Sequence, residues 1–193
     1  MNYNNKSEIL KRANFLLKDA IKNRESMFHT PIISSYANQN ISSRVMVLRA
    51  HNATRRILRF HSDFRSDKVK ELLNDPKTSF IGYDPVLKTQ IRLIGKSKIH
   101  HKNKNSLKAW SESQAISKKC YSVKDGSSQM AKKPETYDFH MKDISLEDGY
   151  ENFCTIEFKY DVLEFLYLQR QGHRRCRFTW NPKGKLSSAW LVP

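Results

Sequence analysis

Thr89 to His100 reads Thr-Gln-Ile-Arg-Leu-Ile-Gly-Lys-Ser-Lys-Ile-His, a strand-like run rich in β-branched residues. Similar runs lie on both sides of it. Upstream are Pro31–Ser35, Ser43–Ala50 (SRVMVLRA), Arg56–Ser62 (RILRFHS) and Thr78–Tyr83. Downstream are Phe153–Tyr160, Val162–Gln169 and His173–Trp180, then a last strand carrying Trp190 and Leu191. Gln171-Gly172 and Asn181-Pro182-Lys183-Gly184 read as hairpin turns between them. Helical signals are fewer. Ile9, Leu10, Ala13, Leu16, Leu17, Ala20 and Ile21 recur at helical spacing within residues 1–26, with Ser7 placed as an N-cap. A short helix is predicted over Ser66–Asn74, burying Val69, Leu72 and Leu73, and a further helical stretch over Asn105–Lys119. Many short strands with few helices imply a mainly β chain with flanking helices, closed as an antiparallel barrel. The length of 193 residues fits one domain, 1–193. Residues 120–149 are polar, contain Gly126 and Pro134, and read as a long loop or lid.

Composition narrows the chemistry. Hydrophobic residues make up 38% and aromatics 11%, enough for a packed core. The 35 Lys and Arg outnumber 19 Asp and Glu, a formal charge of +16 that attracts anions. Cys120, Cys154 and Cys176 are an odd set without a CxxC pair, so a reducing compartment is expected rather than a disulfide or zinc scaffold. No signal-peptide core and no membrane-spanning apolar run is present, and a cytoplasmic protein without membrane association is the expectation. The six glycines stand far apart, which excludes GxGxxG and P-loop phosphate sites. No HExxH occurs, only His100-His101 are adjacent histidines, and no metal set is apparent. Any phosphate must therefore be held by side chains and a helix start.

His61-Ser62-Asp63-Phe64-Arg65-Ser66-Asp67-Lys68 offers that combination. A strand ends near Ser62 and a helix begins near Ser66. Helix N-termini favour anions through free N–H groups and the dipole. Arg65 and Lys68, three apart, add two cations, and Ser62 adds a hydroxyl. An ordinary solvated helix start has the same pattern, so the residues alone leave both readings open.

Four motifs in order resemble the pyridoxamine 5'-phosphate oxidase group of flavin proteins. They are Arg44-Val45-Met46-Val47-Leu48-Arg49; Phe60-His61-Ser62 with Ser66 and Lys68 following; Gln90-Ile91-Arg92-Leu93-Ile94-Gly95; and His173-Arg174-Arg175-Cys176-Arg177-Phe178, followed by Trp190 and Pro193. The resemblance covers about Arg44 to the C-terminus. It implies a split β-barrel of Greek-key type that binds flavin mononucleotide (FMN) at the interface of a homodimer. It implies that Arg44, Val45, Met46 and Val47 line the flavin, that Ser62 and Lys68 hold its phosphate with help from Arg65, and that Ser127 contacts it. Gln90 and Arg177 would reach the flavin of the neighbouring subunit. The implied activity is an oxidoreduction with hydride passing to or from FMN, the protein supplying position, exclusion of water and charge.

The chain departs from the group where substrate is bound. A Tyr, an Arg and a Ser that hold the substrate phosphate there correspond to Ala109, Ser113 and Ser117. The substrate Lys corresponds to Arg49, and the C-terminal Arg and His are exchanged as His173 and Arg175. Arg49, His173 and Arg175 are the substrate-pocket candidates, and vitamin B6 phosphates are not the expected substrate. A Gln that precedes Ser127 in the group is Gly126, and its flavin-stacking Trp falls near Leu166 or Tyr167. Three alternatives stay open at this stage. They are a flavin carrier without turnover, the same fold holding a deazaflavin or haem, and a basic nucleic-acid module stacking bases on Trp110, Tyr121 and Trp180. The last lacks a recognition motif, so no nucleic-acid partner is expected.

Overall fold

The computed structural model describes residues 1–37, 39–133, 135 and 148–193. In chain order the elements are α1 (Lys6–Asp19), β1 (Ile32–Ala37), β2 (Asn40–Val45), β3 (Leu48–Asn52), β4 (Ile57–Asp63), α2 (Asp67–Asn74), β5 (Lys77–Asp84) and β6 (Thr89–His101). There follow α3 (Lys104–Ser111), α4 (Ala115–Lys119), β7 (Phe153–Tyr167), β8 (Arg174–Trp180) and β9 (Leu186–Leu191). All strand pairs are antiparallel, in the order β2-β1-β5-β6-β7-β4-β3, with β8 pairing β7 and β9 pairing β8. Among the described residues no helix is long and apolar enough to cross a membrane.

β7 organises the sheet. It pairs β6 along its length, β4 through Phe153–Lys159, and β8 through Val162–Tyr167. The inward residues of these strands and of β5, Phe60, Phe80, Leu93, Phe158, Phe165 and Phe178, are all buried. α1 closes the core with Ile9, Ala13, Leu16 and Leu17, the face that its spacing predicts. Burial of side chains this size stabilises by about 1.5–3 kcal/mol each before entropy is set against it. A smaller cluster of Ala109, Trp110 and Phe153, flanked by Tyr121 and Tyr150, seats α3 on β7.

Four sequence expectations change. The N-cap of α1 is Asn5, whose side chain accepts from the N–H groups of Ser7 and Glu8. Leu73 is exposed, because only Val69 and Leu72 of α2 turn inward. Ser43–Ala50 is two strands, broken at Met46-Val47, where the Met46 and Leu48 N–H groups donate to the carbonyls of Pro31 and His29. Phe153–Tyr160 and Val162–Gln169 are one strand whose register slips by a residue at Asp161, since Ile94 faces Val162 and Gly95 faces Tyr160.

Candidate functional site

The end of β4 and the start of α2 form one wall of a cleft of about 540 Å³. Its other walls are the break between β2 and β3 (Val45, Met46, Val47, Arg49) and the loop after α4, including Tyr121, Val123, Asp125, Gly126 and Ser127. Of the sequence-predicted flavin residues, Val45, Met46, Val47, Ser62, Lys68 and Ser127 line it, as does the substrate candidate Arg49. The strand break explains the first three: leaving the ladder at Met46-Val47 turns consecutive side chains toward one cavity.

Lys68 is the cation in the wall. Its ammonium is partly buried and makes no hydrogen bond or ion pair with the described protein. Burial, and then the nearby Arg44 charge, lowers its pKa. Such a group invites an anion. Ser66 leaves the first turn of α2 without a side-chain cap, because its hydroxyl donates to the Asp63 carbonyl at 2.7 Å. The buried Ser62 lies beside it, Oγ to Oγ 3.3 Å. An unpaired ammonium, an uncapped helix start and a hydroxyl fit a phosphate ester.

Two predicted residues point elsewhere. Arg44 is held on the inner side of the sheet, with Nη2 2.5 Å from Glu71 Oε2 and from Ser42 Oγ, and Nη1 2.5 Å from Ser35 Oγ. It fastens α2 to β1 and β2 and does not line the cleft. Arg65 turns back onto Asp63, Nε to Oδ1 at 3.0 Å and Nη2 to Oδ2 at 2.7 Å. Its remaining N–H groups reach the carbonyls of Val123 at 3.0 Å and Lys124 at 2.8 Å.

Gln90, Arg175 and Arg177 lie on the outer face of the sheet, away from this cleft. Arg175 and Arg177 converge on Glu164, at 2.9 Å and 2.7 Å, with Arg92 at 3.9 Å. Glu164 is buried, and although burial raises its pKa, the hydrogen bonds from Arg175 and Arg177 bring the balance below the usual carboxylate range. His173 is exposed at the β7–β8 turn, its Nδ1 accepting from the Gln169 N–H at 3.2 Å. Tyr167, near the position of the group's stacking Trp, is taken by Tyr3, the rings parallel at 3.8 Å.

A second cleft of about 330 Å³ adjoins the first and shares Arg49 and His61 with it. Ala109, Ser113 and Ser117 line it, as the resemblance implies, but the sequence reading missed the cations that line it with them: Lys22, Arg24 and Arg59. Glu112 is its acidic member, 3.2 Å from Arg59 Nη2. Arg59 Nε and His61 Nε2 are buried with no hydrogen-bond partner among the described residues. Burial, with Arg59 and Arg49 nearby, lowers the His61 pKa to about 3, so its ring is neutral. Arg49 sits between the clefts because it is the extra residue of a β-bulge: Leu48 faces Phe60 and Ala50 faces Arg59. No local signal marks that bulge in the sequence.

Residues 13–101 match the family described as pyridoxamine 5'-phosphate oxidase, FMN-binding domain. No curated protein matches the chain. Among solved structures, a pyridoxamine 5'-phosphate oxidase-related, FMN-binding protein from Nostoc punctiforme superposes with a TM-score of 0.75 at 17% identity, over 97% of this chain and 95% of that one. PhzG from Burkholderia lata, solved with tetrahydrophenazine-1-carboxylic acid, gives 0.74 at 17% identity, over 99% and 96%. Fold and sequence together define an FMN-binding split barrel. Within that class residues 13–101 are similar to the pyridoxamine 5'-phosphate oxidase family, and FMN is the cofactor that this match supports.

Proposed function

We propose that the protein is an FMN-dependent oxidoreductase, working as a homodimer on a small organic anion. The observation that carries the substrate class is the second cleft, where, among the described residues, Lys22, Arg24, Arg49 and Arg59 outnumber the one carboxylate, Glu112. When bound, FMN supplies a ring that accepts or donates hydride. The chain's own residues do the rest. Lys68, Ser62 and the first turn of α2 hold the cofactor phosphate, while Val45, Met46 and Val47 lie along the flavin and keep water from it. Arg59 receives the anionic end of the substrate in paired, charge-assisted hydrogen bonds. Arg49 bridges anchor and flavin, and neutral His61 offers a hydrogen bond without adding charge. The carboxylic acid held by PhzG belongs to this chemical class.

The test is flavin bleaching and steady-state turnover across organic acids, organic phosphates and their neutral analogues. Arg59→Ala should raise KM for the best anion about tenfold, the weight of one charged hydrogen bond, and leave FMN affinity near wild type. Neutral analogues turned over as well as anions would sink the assignment of substrate class. Bound FMN with no turnover of any compound would favour a flavin carrier.

A further inference from the structure

We propose that Arg65 is a positioning residue: it latches the loop after α4 onto the end of β4 and so sets a wall of the FMN cleft, without touching the phosphate. The proposal rests on the cleft being the FMN site. Its observations are the bonds of one guanidinium. Asp63 takes the Nε and Nη2 edge, and the Arg65 N–H donates to the same carboxylate at 2.8 Å, which fixes its plane. The free ends of the fork then meet two successive carbonyls, Val123 and Lys124. Asp125, Gly126 and Ser127, the next three residues, line the cleft.

Gly126 belongs to the same device. A Cβ built there lies 2.8 Å from Arg65 Cβ, so the loop lies flat on the arginine only because this residue is glycine. For Arg65 to turn into the cleft it would have to leave all four acceptors. Asp63, which also lines the cleft, would then face an incoming phosphate as an uncompensated carboxylate. Paired, the same two residues contribute no net repulsion. Both effects place the worth of Arg65 in its planar fork, not in its charge alone. A lysine keeps the charge but cannot span one carboxylate and two carbonyls.

That difference is the test. Full-length Arg65→Lys, Arg65→Ala and Gly126→Ala are compared with wild type. Amide hydrogen exchange is followed in the apoprotein, and FMN affinity is read from fluorescence quenching. Exchange of a peptide covering 120–129 should quicken several-fold in all three variants, while peptides of β4 and β7 stay at wild-type rates. FMN affinity should fall about tenfold in both Arg65 variants, lysine giving no rescue. Wild-type affinity and slow exchange in Arg65→Lys would overturn the latch, because charge alone would then suffice. Lost affinity with unchanged exchange of 120–129 would also overturn it, placing Arg65 on the phosphate. The exchange measurement needs no cofactor, so it reads the latch even if the flavin assignment fails.

Discussion

Lys68 and Arg65 stand three positions apart on the same helix start, yet only Lys68 faces the cleft. The sequence made both plausible anion ligands. What separates them is Asp63, two residues before Arg65, whose carboxylate captures the guanidinium. A string of residues does not disclose such a choice, because it depends on side-chain direction. Lys68→Ala should weaken FMN binding about tenfold or more, the loss of one charge-assisted hydrogen bond, measured by titration of the apoprotein. His51 and His61 belong to the same scale. Burial lowers their pKa values to about 4 and about 3, from an ordinary 6.5. Between those values and 6.5 the unfolded chain binds protons that the folded chain refuses. Stability is therefore complete above about pH 6.5 and falls as the solution is acidified, by up to about 1.4 kcal/mol per pH unit for each ring. Urea midpoints from pH 7.5 to 4.5 should show this fall, and His61→Gln should flatten it. An unchanged slope in that variant would mean the His61 ring is hydrated or protonated in the native state.

Elements were legible where hydrophobic runs were uninterrupted, and misread at their irregularities. All nine strands described here overlap runs of β-type residues in the sequence. The break at Met46-Val47 was hidden because no turn residue marks it, and the Met46 and Leu48 N–H groups that leave the ladder donate to the carbonyls of Pro31 and His29, far off in the sequence. The opposite error fell at Asp161, a polar residue that looks like a turn but is accommodated as a bulge. Gly95 makes that bulge possible: a Cβ there would lie 2.0 Å from the Lys159 carbonyl oxygen. Gly95→Ala should thus force β6 and β7 apart and cost about 3 kcal/mol, at the upper end of overpacking penalties. Thermal unfolding would measure it, and a melting temperature within a degree of wild type would contradict so tight a crossing. The bulge at Arg49 was equally silent: Arg49, Ala109, Ser113 and Ser117 were expected at a substrate site, but the cations Lys22, Arg24 and Arg59 that join them there were not foreseen.

At the scale of the whole molecule, one face of the sheet is left open. Ile32, Tyr83 and Ile94 are exposed on it, next to the Glu164 cluster with Arg92, Arg175 and Arg177. Apolar surface rimmed by charge is the usual composition of a subunit interface. The resemblance assigns Gln90 and Arg177, both on this face, to a neighbour's flavin. The proposed homodimer is expected to close there. Ile32→Asp, a change at an exposed site, should convert a sedimenting dimer into a folded monomer that holds FMN weakly. A wild-type chain that sediments as a monomer with full affinity would end the dimer proposal. β7 carries a different consequence, one in time. Both β4 and β6 require it as a partner, and it lies 90 residues beyond the end of β4, from Asp63 to Phe153. At ribosomal speed that gap lasts on the order of ten seconds. A nascent chain therefore waits with two unpaired strand edges, and the β4 wall of the cleft is braced only once the last third of the polypeptide is made.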